Sequence, residues 1–332
     1  MASAIAALAV AGVFSQQPPA ISHEYANVNG QRLHYARAGS GPLIVFLHGF
    51  PEFWYEWKHQ IAEFSRDYTA VAPDMRGYNL SSKPTELSAY QVPNLVEDVR
   101  ALTSELMKST GGTKFTLVAH DWGGVVAWVF AALHPQMIDK LVIVNAPHPT
   151  IFGKRLRDDP TQQKASAYML MFRSPEAEAT LSANSYEMLT SAVLGEGIKA
   201  GTVTEDDRKA YVEAWSQPGA LTGGLNYYRA SGVGPPPRVD APAAATTTAG
   251  TAPAAEPPAA ATANQPPPLI VRVPTLVIWG EMDTALLPGN LEGLDQFVPT
   301  LAVRRIPDGT HWVVREKPAE VNRLIREFLA QK

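Results

Sequence analysis

Residues 114–124 read KFTLVAHDWGG, and this short segment carries the strongest structural signal in the chain. A β-type run leads through it into an apolar, helix-type run at 125–133. The small residues Ala119 and Gly123 allow a sharp turn that holds the side chain between them exposed at the end of the strand. That side chain is the carboxylate of Asp121. The pattern therefore predicts a nucleophile that attacks a saturated carbon and forms an alkyl ester, unlike the acyl transfer performed by a serine.

Short β-type runs alternate with helical patterns on both sides of this segment. The runs predict strands at 43–47, 69–72, 115–119, 141–145, 275–279 and 302–306, and helices near 57–65, 94–107, 125–133 and 320–329. A turn at 28–31 predicts an additional hairpin near the start of the chain. Such alternation is typical of the α/β class, with a mostly parallel central sheet flanked by helices. In these sheets the reactive side chains lie in loops beyond the carboxyl ends of the strands.

The composition and charge of the chain exclude several classes of function. The chain has 332 residues, of which 45% are hydrophobic and 18% charged, so one or two well-packed domains are expected. Its net charge of −4 and the absence of a Lys/Arg cluster argue against a nucleic-acid partner or a polybasic membrane surface. There is no cysteine, which excludes thiol catalysis, disulfides and cysteine-ligated metals.

The first 22 residues are interpreted as an apolar leader or N-terminal extension. Residues 2–14 have the length of a signal-peptide core, and the small residues before Gln16 have the spacing of a cleavage site, but the segment lacks a basic start. If residues 1–15 are a signal peptide, the protein is expected to be exported to the periplasm. If they are not, a cytoplasmic location is expected. The stretch is too short to predict a stable membrane span.

Two segments interrupt the strand and helix alternation and predict the domain organisation. Residues 149–232 are rich in helix formers and aromatics without a parallel-strand pattern, which indicates a helical cap. Residues 233–268 are rich in Pro, Ala and Thr, and this composition predicts a flexible insertion that tethers cap to core. The core then comprises 23–148 and 269–332.

Five motifs identify a family. They are HGFPE at 48–52, DMRGYNLS at 74–81, HDWGG at 120–124, WGEMD at 279–283 and GTHW at 309–312. In this order they resemble the α/β-hydrolase fold family, and most closely its epoxide hydrolases, with haloalkane and haloacid dehalogenases as near relatives. The resemblance covers the chain from about residue 25 to its C-terminus, apart from the low-complexity insertion.

The order of three side chains supports the same reading independently. Nucleophile, acid and histidine follow one another in α/β-hydrolases, and Asp121, Asp283 and His311 have that order. Each has an ordinary alternative, as a helix N-cap, a turn residue and a surface-loop histidine respectively. Their joint placement at three predicted strand ends favours a catalytic triad, with His311 as base and Asp283 as its orienting acid.

The resemblance also implies the remaining site residues. Backbone N–H groups of Phe50 and Trp122 are expected to form the oxyanion hole, and the Phe50-Pro51 bond is expected to be cis. Tyr168 and Tyr228 match the two cap phenols that hydrogen-bond the epoxide oxygen in epoxide hydrolases. The neighbouring Tyr227 is interpreted as a packing residue, and any cap tyrosine has the alternative of a core aromatic.

The predicted function is the hydrolysis of a small-molecule epoxide to a vicinal diol through an ester on Asp121, with no metal and no organic cofactor. A dehalogenase is the first alternative, because Trp122 fits halide binding equally well; the missing Asn after His48-Gly49 and the missing Arg after Asp121 disfavour it. A non-catalytic receptor is the second, though the triad is intact. No Gly-x-Ser-x-Gly supports a serine esterase. The sequence does not indicate an oligomeric state. Five residues could line the substrate pocket or equally well form the core of the cap: Met169, Met171, Phe172, Met188 and Leu189.

Overall fold

The computed structural model describes residues 19–236 and 268–331. Within them an eight-stranded sheet has the order β1-β2-β4-β3-β5-β6-β7-β8. The strands are β1 Ser22–Val28, β2 Gln31–Ala38, β3 Leu43–Leu47, β4 Thr69–Pro73, β5 Phe115–His120, β6 Ile138–Val144, β7 Thr275–Gly280 and β8 Leu301–Ile306. The pairs β1 with β2 and β2 with β4 are antiparallel, and the pairs from β4 to β8 are parallel. The predicted α/β-hydrolase fold class is confirmed.

Helices cover both faces of this sheet. In the core they are α1 Lys58–Phe64, α2 Val92–Thr110, α3 Asp121–Leu133, α10 Val313–Glu316 and α11 Pro318–Leu329. The central strand β3 is buried along its whole length, with alternate side chains directed to opposite faces. Val45 packs in the layer beneath α2 and α3, and Ile44 packs in the layer beneath α1 and α11. The continuous apolar runs in the sequence follow from this burial on both faces.

The predicted strands and helices are present, with ends that differ from the predicted ones by at most four residues; the largest difference is in α3, which begins at Asp121 and not at residue 125. The helix expected from residue 57 begins at Lys58, because Trp54–Trp57 forms a 3-10 turn. The helix expected from residue 94 begins at Val92, where Pro93 occupies the first turn as a residue without an N–H. It ends at Gly111, whose φ of 72° is the left-handed conformation that closes many helices.

Six helices lie within the described residues between β6 and β7. They are α4 Pro149–Asp158, α5 Pro160–Ala165, α6 Tyr168–Phe172, α7 Ala177–Ala200, α8 Glu205–Ser216 and α9 Ala220–Ser231. The longest, α7, is interrupted at 183–186, where the backbone leaves the helical conformation. These helices occupy the segment predicted as the cap. Most of the predicted 233–268 insertion and of the N-terminal extension lies outside the described residues.

The α8 and α9 helices are fastened to core loops by buried polar contacts. The Trp215 indole N–H donates to the carbonyl of Pro51 at 2.6 Å, and the Tyr227 hydroxyl donates to the carbonyl of Arg76 at 2.8 Å. These contacts hold α8 and α9 against the loops that follow β3 and β4. In the described part of the chain, no helix combines the length and the apolar character needed to cross a membrane.

Candidate active site

Asp121 stands at the sharp turn between β5 and α3. Its φ of 47° lies in the left-handed region, a backbone conformation that is unfavourable for residues other than glycine. The turn is possible because neighbouring positions lack side chains: a Cβ on Gly49 would lie 2.3 Å from the Cβ of Asp121, and one on Gly123 would lie 2.4 Å from the carbonyl oxygen of Leu47. The backbone therefore holds the carboxylate at the end of the strand, as the small-residue pattern predicts.

His311 and Asp283 come together beside this carboxylate. The Nδ1 of His311 lies 2.7 Å from Oδ2 of Asp283, which follows β7, and its Nε2 lies 3.7 Å from Oδ2 of Asp121. Backbone N–H groups of Ala285 and Leu286 donate to the other Asp283 oxygen at 2.9 and 2.8 Å. The structure thus brings together the three residues predicted as the triad, with the histidine between the two carboxylates.

Asn145 is a supporting residue that sequence reasoning missed. Its side-chain amide donates to Oδ2 of Asp283 at 2.8 Å, and its oxygen accepts the backbone N–H of Gly280 at the same distance. It is fully buried, with a left-handed φ of 38° just after β6. An asparagine at a predicted strand end, a residue that tolerates this conformation, was the available signal. Asn145 fixes the acid from the neighbouring strand.

Electrostatics favour a charged His311 in the free protein. Burial alone would lower its pKa, but the charge and hydrogen bond of Asp283, together with the charges of Asp121 and Glu56, outweigh burial and raise the pKa to about 9. Burial likewise opposes ionisation of Asp283, and the charge and hydrogen bond of His311 overcome this and lower the pKa of Asp283. The imidazolium is therefore held between two carboxylates until one of them loses its charge.

The predicted oxyanion donors lie on both sides of Asp121. The Phe50 backbone N–H donates to Oδ1 of Asp121 at 2.8 Å, and the Phe50-Pro51 bond is cis, as expected. Trp122 follows the nucleophile in the first turn of α3, where backbone N–H groups have no partner within the helix. His48 braces the loop, since its Nε2 accepts the Met75 N–H at 3.0 Å.

The two cap tyrosines belong to an aromatic cluster above the nucleophile. Tyr228 of α9 is buried and packs edge-on against Trp122 and Phe50, with ring centroids 5.2 and 5.5 Å apart. Tyr168 at the start of α6 is half-buried and packs on Phe172, which in turn packs on Tyr228. Burial, followed by the nearby charge of Asp121, raises the pKa of both phenols well above the ordinary value. Both therefore remain protonated and can donate hydrogen bonds.

Tyr227 differs from its neighbour in sequence. Its ring is completely buried against Trp122, and its hydroxyl is occupied by the carbonyl of Arg76. This placement matches a packing residue.

A cavity of about 170 Å³ opens beside Asp121 and Tyr228. Its other lining residues are mostly apolar: Val92, Trp122, Val125, Pro147, Pro149, Phe152, Gly153, Leu156, Met169, Ser231, Val233 and Leu286. Among the possible pocket residues, Met169 lines it, Leu189 packs in the cap core, and Met188 is 47% exposed.

A larger groove of about 430 Å³ between α4 and residues 292–297 contains no triad member. Within the described residues, no group of three or more acidic or histidine side chains is arranged to hold a metal ion.

Comparisons with known proteins identify the family of the chain. A family model described as alpha/beta hydrolase fold matches residues 42–318. The chain is 37% identical over 310 residues to the AB hydrolase superfamily protein YfhM of Bacillus subtilis (strain 168), covering 92% of this chain and 97% of that protein. It is 34% identical over 324 residues to epoxide hydrolase 4 of Mus musculus, covering 94% of this chain and 80% of that protein.

Solved structures are similar as well. An epoxide hydrolase of Bacillus megaterium, determined in complex with an inhibitor, superposes with a TM-score of 0.78 and 35% identity, covering 93% of this chain and all of that one. Epoxide hydrolase I of potato (Solanum tuberosum) gives a TM-score of 0.71 and 27% identity, covering 93% of this chain and 99% of that one.

Proposed function

The chain belongs to the α/β-hydrolase fold family, and from that premise we propose that it opens epoxides to vicinal diols through an ester on Asp121. Its similarity to relatives and solved structures that are epoxide hydrolases supports this activity. The residue roles are our proposal, and one observation carries them. The carboxylate at the sharp turn lies near two phenols, the buried Tyr228 and the half-buried Tyr168, whose raised pKa keeps them protonated.

In the first step Asp121 acts as nucleophile. Its Oδ1 is held by the Phe50 N–H, which leaves Oδ2 free to attack an epoxide carbon. The ring C–O bond breaks as the new ester bond forms, and negative charge develops on the epoxide oxygen. Tyr168 and Tyr228 stabilise that charge by hydrogen bonds, and one phenol transfers its proton to the oxygen.

In the second step His311 acts as general base. Formation of the ester removes the charge of Asp121, which is one of the causes of the raised pKa of His311. The imidazolium then releases its proton more readily, and this proton restores the phenol through solvent. The neutral imidazole, oriented by Asp283, accepts a proton from water. That water attacks the ester carbonyl carbon, and the N–H groups of Phe50 and Trp122 stabilise the oxyanion. When the tetrahedral intermediate collapses, the His311 imidazolium protonates the departing oxygen of the diol. The new carboxylic acid of Asp121 then returns a proton to His311 and regains its charge.

The character of the cavity indicates the substrate class. Apart from Asp121, Tyr228 and Ser231, its lining side chains offer almost no polar groups. An apolar site of this size favours epoxides with a compact aryl or alkyl substituent over charged or sugar-like ones. Styrene oxide is a suitable first substrate.

The experiment that tests the mechanism is mass spectrometry of the His311→Gln protein after exposure to styrene oxide. We expect an adduct with the mass of the intact epoxide on the peptide that contains Asp121, because alkylation proceeds and hydrolysis does not. Asp121→Ala is the matched control and should remain unmodified. Absence of an adduct, under conditions in which the wild type produces diol, contradicts the ester mechanism. Halide release from a haloalkane or a haloacetate in parallel assays would instead support the dehalogenase alternative.

A further inference from the structure

A second pair of a carboxylic acid and a histidine lies directly behind the triad, and the mechanism above does not use it. Glu56 belongs to the 3-10 turn Trp54–Trp57, and His120 is the last residue of β5, immediately before the nucleophile. Their exposed fractions are 2% and 0%. A buried acid so close to a reactive carboxylate has a large energetic cost if it is charged without a partner.

The geometry of this pair requires a proton between its members. The Nε2 of His120 lies 2.9 Å from the backbone carbonyl oxygen of His311, and since a carbonyl only accepts, Nε2 carries the hydrogen. The Nδ1 of His120 lies 2.5 Å from Oε1 of Glu56. A bare ring nitrogen and a carboxylate oxygen repel each other at this distance. A proton on one of the two groups relieves this repulsion, although the contact does not have the geometry of a hydrogen bond.

Burial, against the opposing charge of Arg315, places that proton on Glu56. The guanidinium of Arg315 on α10 is already occupied by Glu52, at 2.5 Å, and by the hydroxyl of Tyr211 on α8, at 2.9 Å. Oε2 of Glu56 has no hydrogen-bond partner among residues 19–236 and 268–331.

The pKa directions agree with this assignment. Burial raises the pKa of Glu56 to about 8; the charge of Asp121 adds to the increase, and those of Arg315 and His311 oppose it. Burial lowers the pKa of His120 to about 4, with the charge of His311 acting in the same direction. Near neutral pH the acid is therefore uncharged and contacts a neutral imidazole.

We propose that Glu56 is a positioning residue for ester hydrolysis, an inference that rests on the proposed function. As a neutral acid it holds His120, whose Nε2–H holds the main chain of His311 and so the position of the base. When Glu56 ionises at alkaline pH, its charge keeps a proton on His311 and opposes the oxyanion that develops on the ester. The hydrolysis step then slows, and the alkylation step is less affected.

The test is a single-turnover experiment from pH 6.5 to 10 with wild type and Glu56→Gln. Ester formation and ester decay are followed separately by rapid quench and mass spectrometry. The rate of decay in the wild type should fall above about pH 8, where an acid with this raised pKa ionises. In Glu56→Gln this decline should disappear, because the amide donates to His120 without ionising. Glu213→Gln, a substitution at an exposed position of α8, should keep the wild-type profile.

A second variant separates positioning from general damage. Glu56→Ala should slow ester decay by about 10-fold to 100-fold, the usual cost of losing a supporting group around a catalytic residue. Because only the later step is slowed, kcat and KM should fall together and kcat/KM should be kept. Glu56→Gln should recover most of this loss at neutral pH. Thermal melts establish that each variant is folded.

The outcomes discriminate between the two proposals. If wild type forms no ester, the proposed mechanism fails and this inference fails with it. If the ester forms, and decays with the same pH profile in wild type and Glu56→Gln, only the inference about Glu56 is overturned. An equal loss of alkylation and hydrolysis in Glu56→Ala also overturns it.

Discussion

The core and the cap both reach the space around Asp121, but they hold their side chains by different means. In the core, Asp283 and Asp121 accept backbone N–H groups at 2.8 to 2.9 Å, from Leu286, Ala285 and Phe50. In the cap, Tyr168 and Tyr228 are held by the packing of aromatic rings. Directed bonds to a rigid sheet fix a group more tightly than ring contacts between helices.

This difference coincides with the two steps of the proposed reaction. The phenols act only while the epoxide ring opens, whereas His311 and Asp283 act only while the ester is hydrolysed. Asp121 takes part in both. Substitutions on the two sides should therefore separate the steps, and substitution of the shared residue should abolish both.

The largest effect is expected for Asp121→Ala. Removal of the nucleophile should lower kcat by at least about 10⁴-fold, as for other residues of a catalytic triad that act as a unit. Steady-state diol formation with styrene oxide measures the loss. A variant with activity within tenfold of wild type would mean that water attacks the epoxide directly, and the division between core and cap would lose its basis.

The phenols should give the next largest effect. Tyr168→Phe and Tyr228→Phe should each slow ester formation by about 10²-fold, the typical cost of removing one donor to a developing negative charge. The decay of an ester that has already formed should keep its wild-type rate. Rapid-quench measurement of both phases checks this, and a slower decay phase would show that the cap serves both steps.

Much of the core was predictable because its signals are local. A fully buried parallel strand appears as a continuous apolar run, so β3 and β5 were recognisable from sequence. The sharp turn at Asp121 requires small residues on both sides, which were visible as Ala119 and Gly123. The chain order of nucleophile, acid and histidine then indicated which loops to compare.

The missed residues depend on contacts that only the sheet order creates. Asn145 reaches Asp283 because β6 and β7 are neighbours, although the two residues are far apart in sequence. Glu56 reaches His120 in the same way, across the turn after β3. Positions in the cap were harder to predict, because the packing of aromatic rings produces no regular pattern in the sequence. Met169 and Met188 were both possible pocket residues, but Met169 lines the cavity and Met188 is exposed.

A smaller effect is expected at the supporting residue Asn145. Asn145→Leu removes one donor from Asp283 and leaves the Gly280 N–H without its partner, so ester decay should slow by about 10-fold to 100-fold. Ester formation should change little, since the side chain of Asn145 hydrogen-bonds Asp283 and Gly280 and not the nucleophile. The same rapid-quench assay measures both phases. Equal slowing of the two would place Asn145 among general structural residues of the core.

The charge of Asp121 should also be visible in the titration of His311. In the free protein, the pKa of His311 is raised to about 9 although burial opposes the shift, and Asp121 is one of the causes. Asp121→Asn removes that charge, so the pKa should fall below the wild-type value, as it would on ester formation. NMR titration of the imidazole measures this directly. An unchanged pKa would mean that Asp283 and Glu56 set the protonation of the base without Asp121.

The smallest effect is expected at the packing tyrosine beside the phenol. Tyr227→Phe keeps the ring against Trp122 but removes its hydrogen bond to the buried carbonyl of Arg76, which should lower the free energy of unfolding by about 1 to 2 kcal/mol. Both chemical steps should keep rates close to wild type. Denaturant unfolding and the two-phase assay together test this. A slow ester formation phase like that of Tyr228→Phe would instead give Tyr227 a role in ring opening, because the two neighbours in sequence would then act on the same charge.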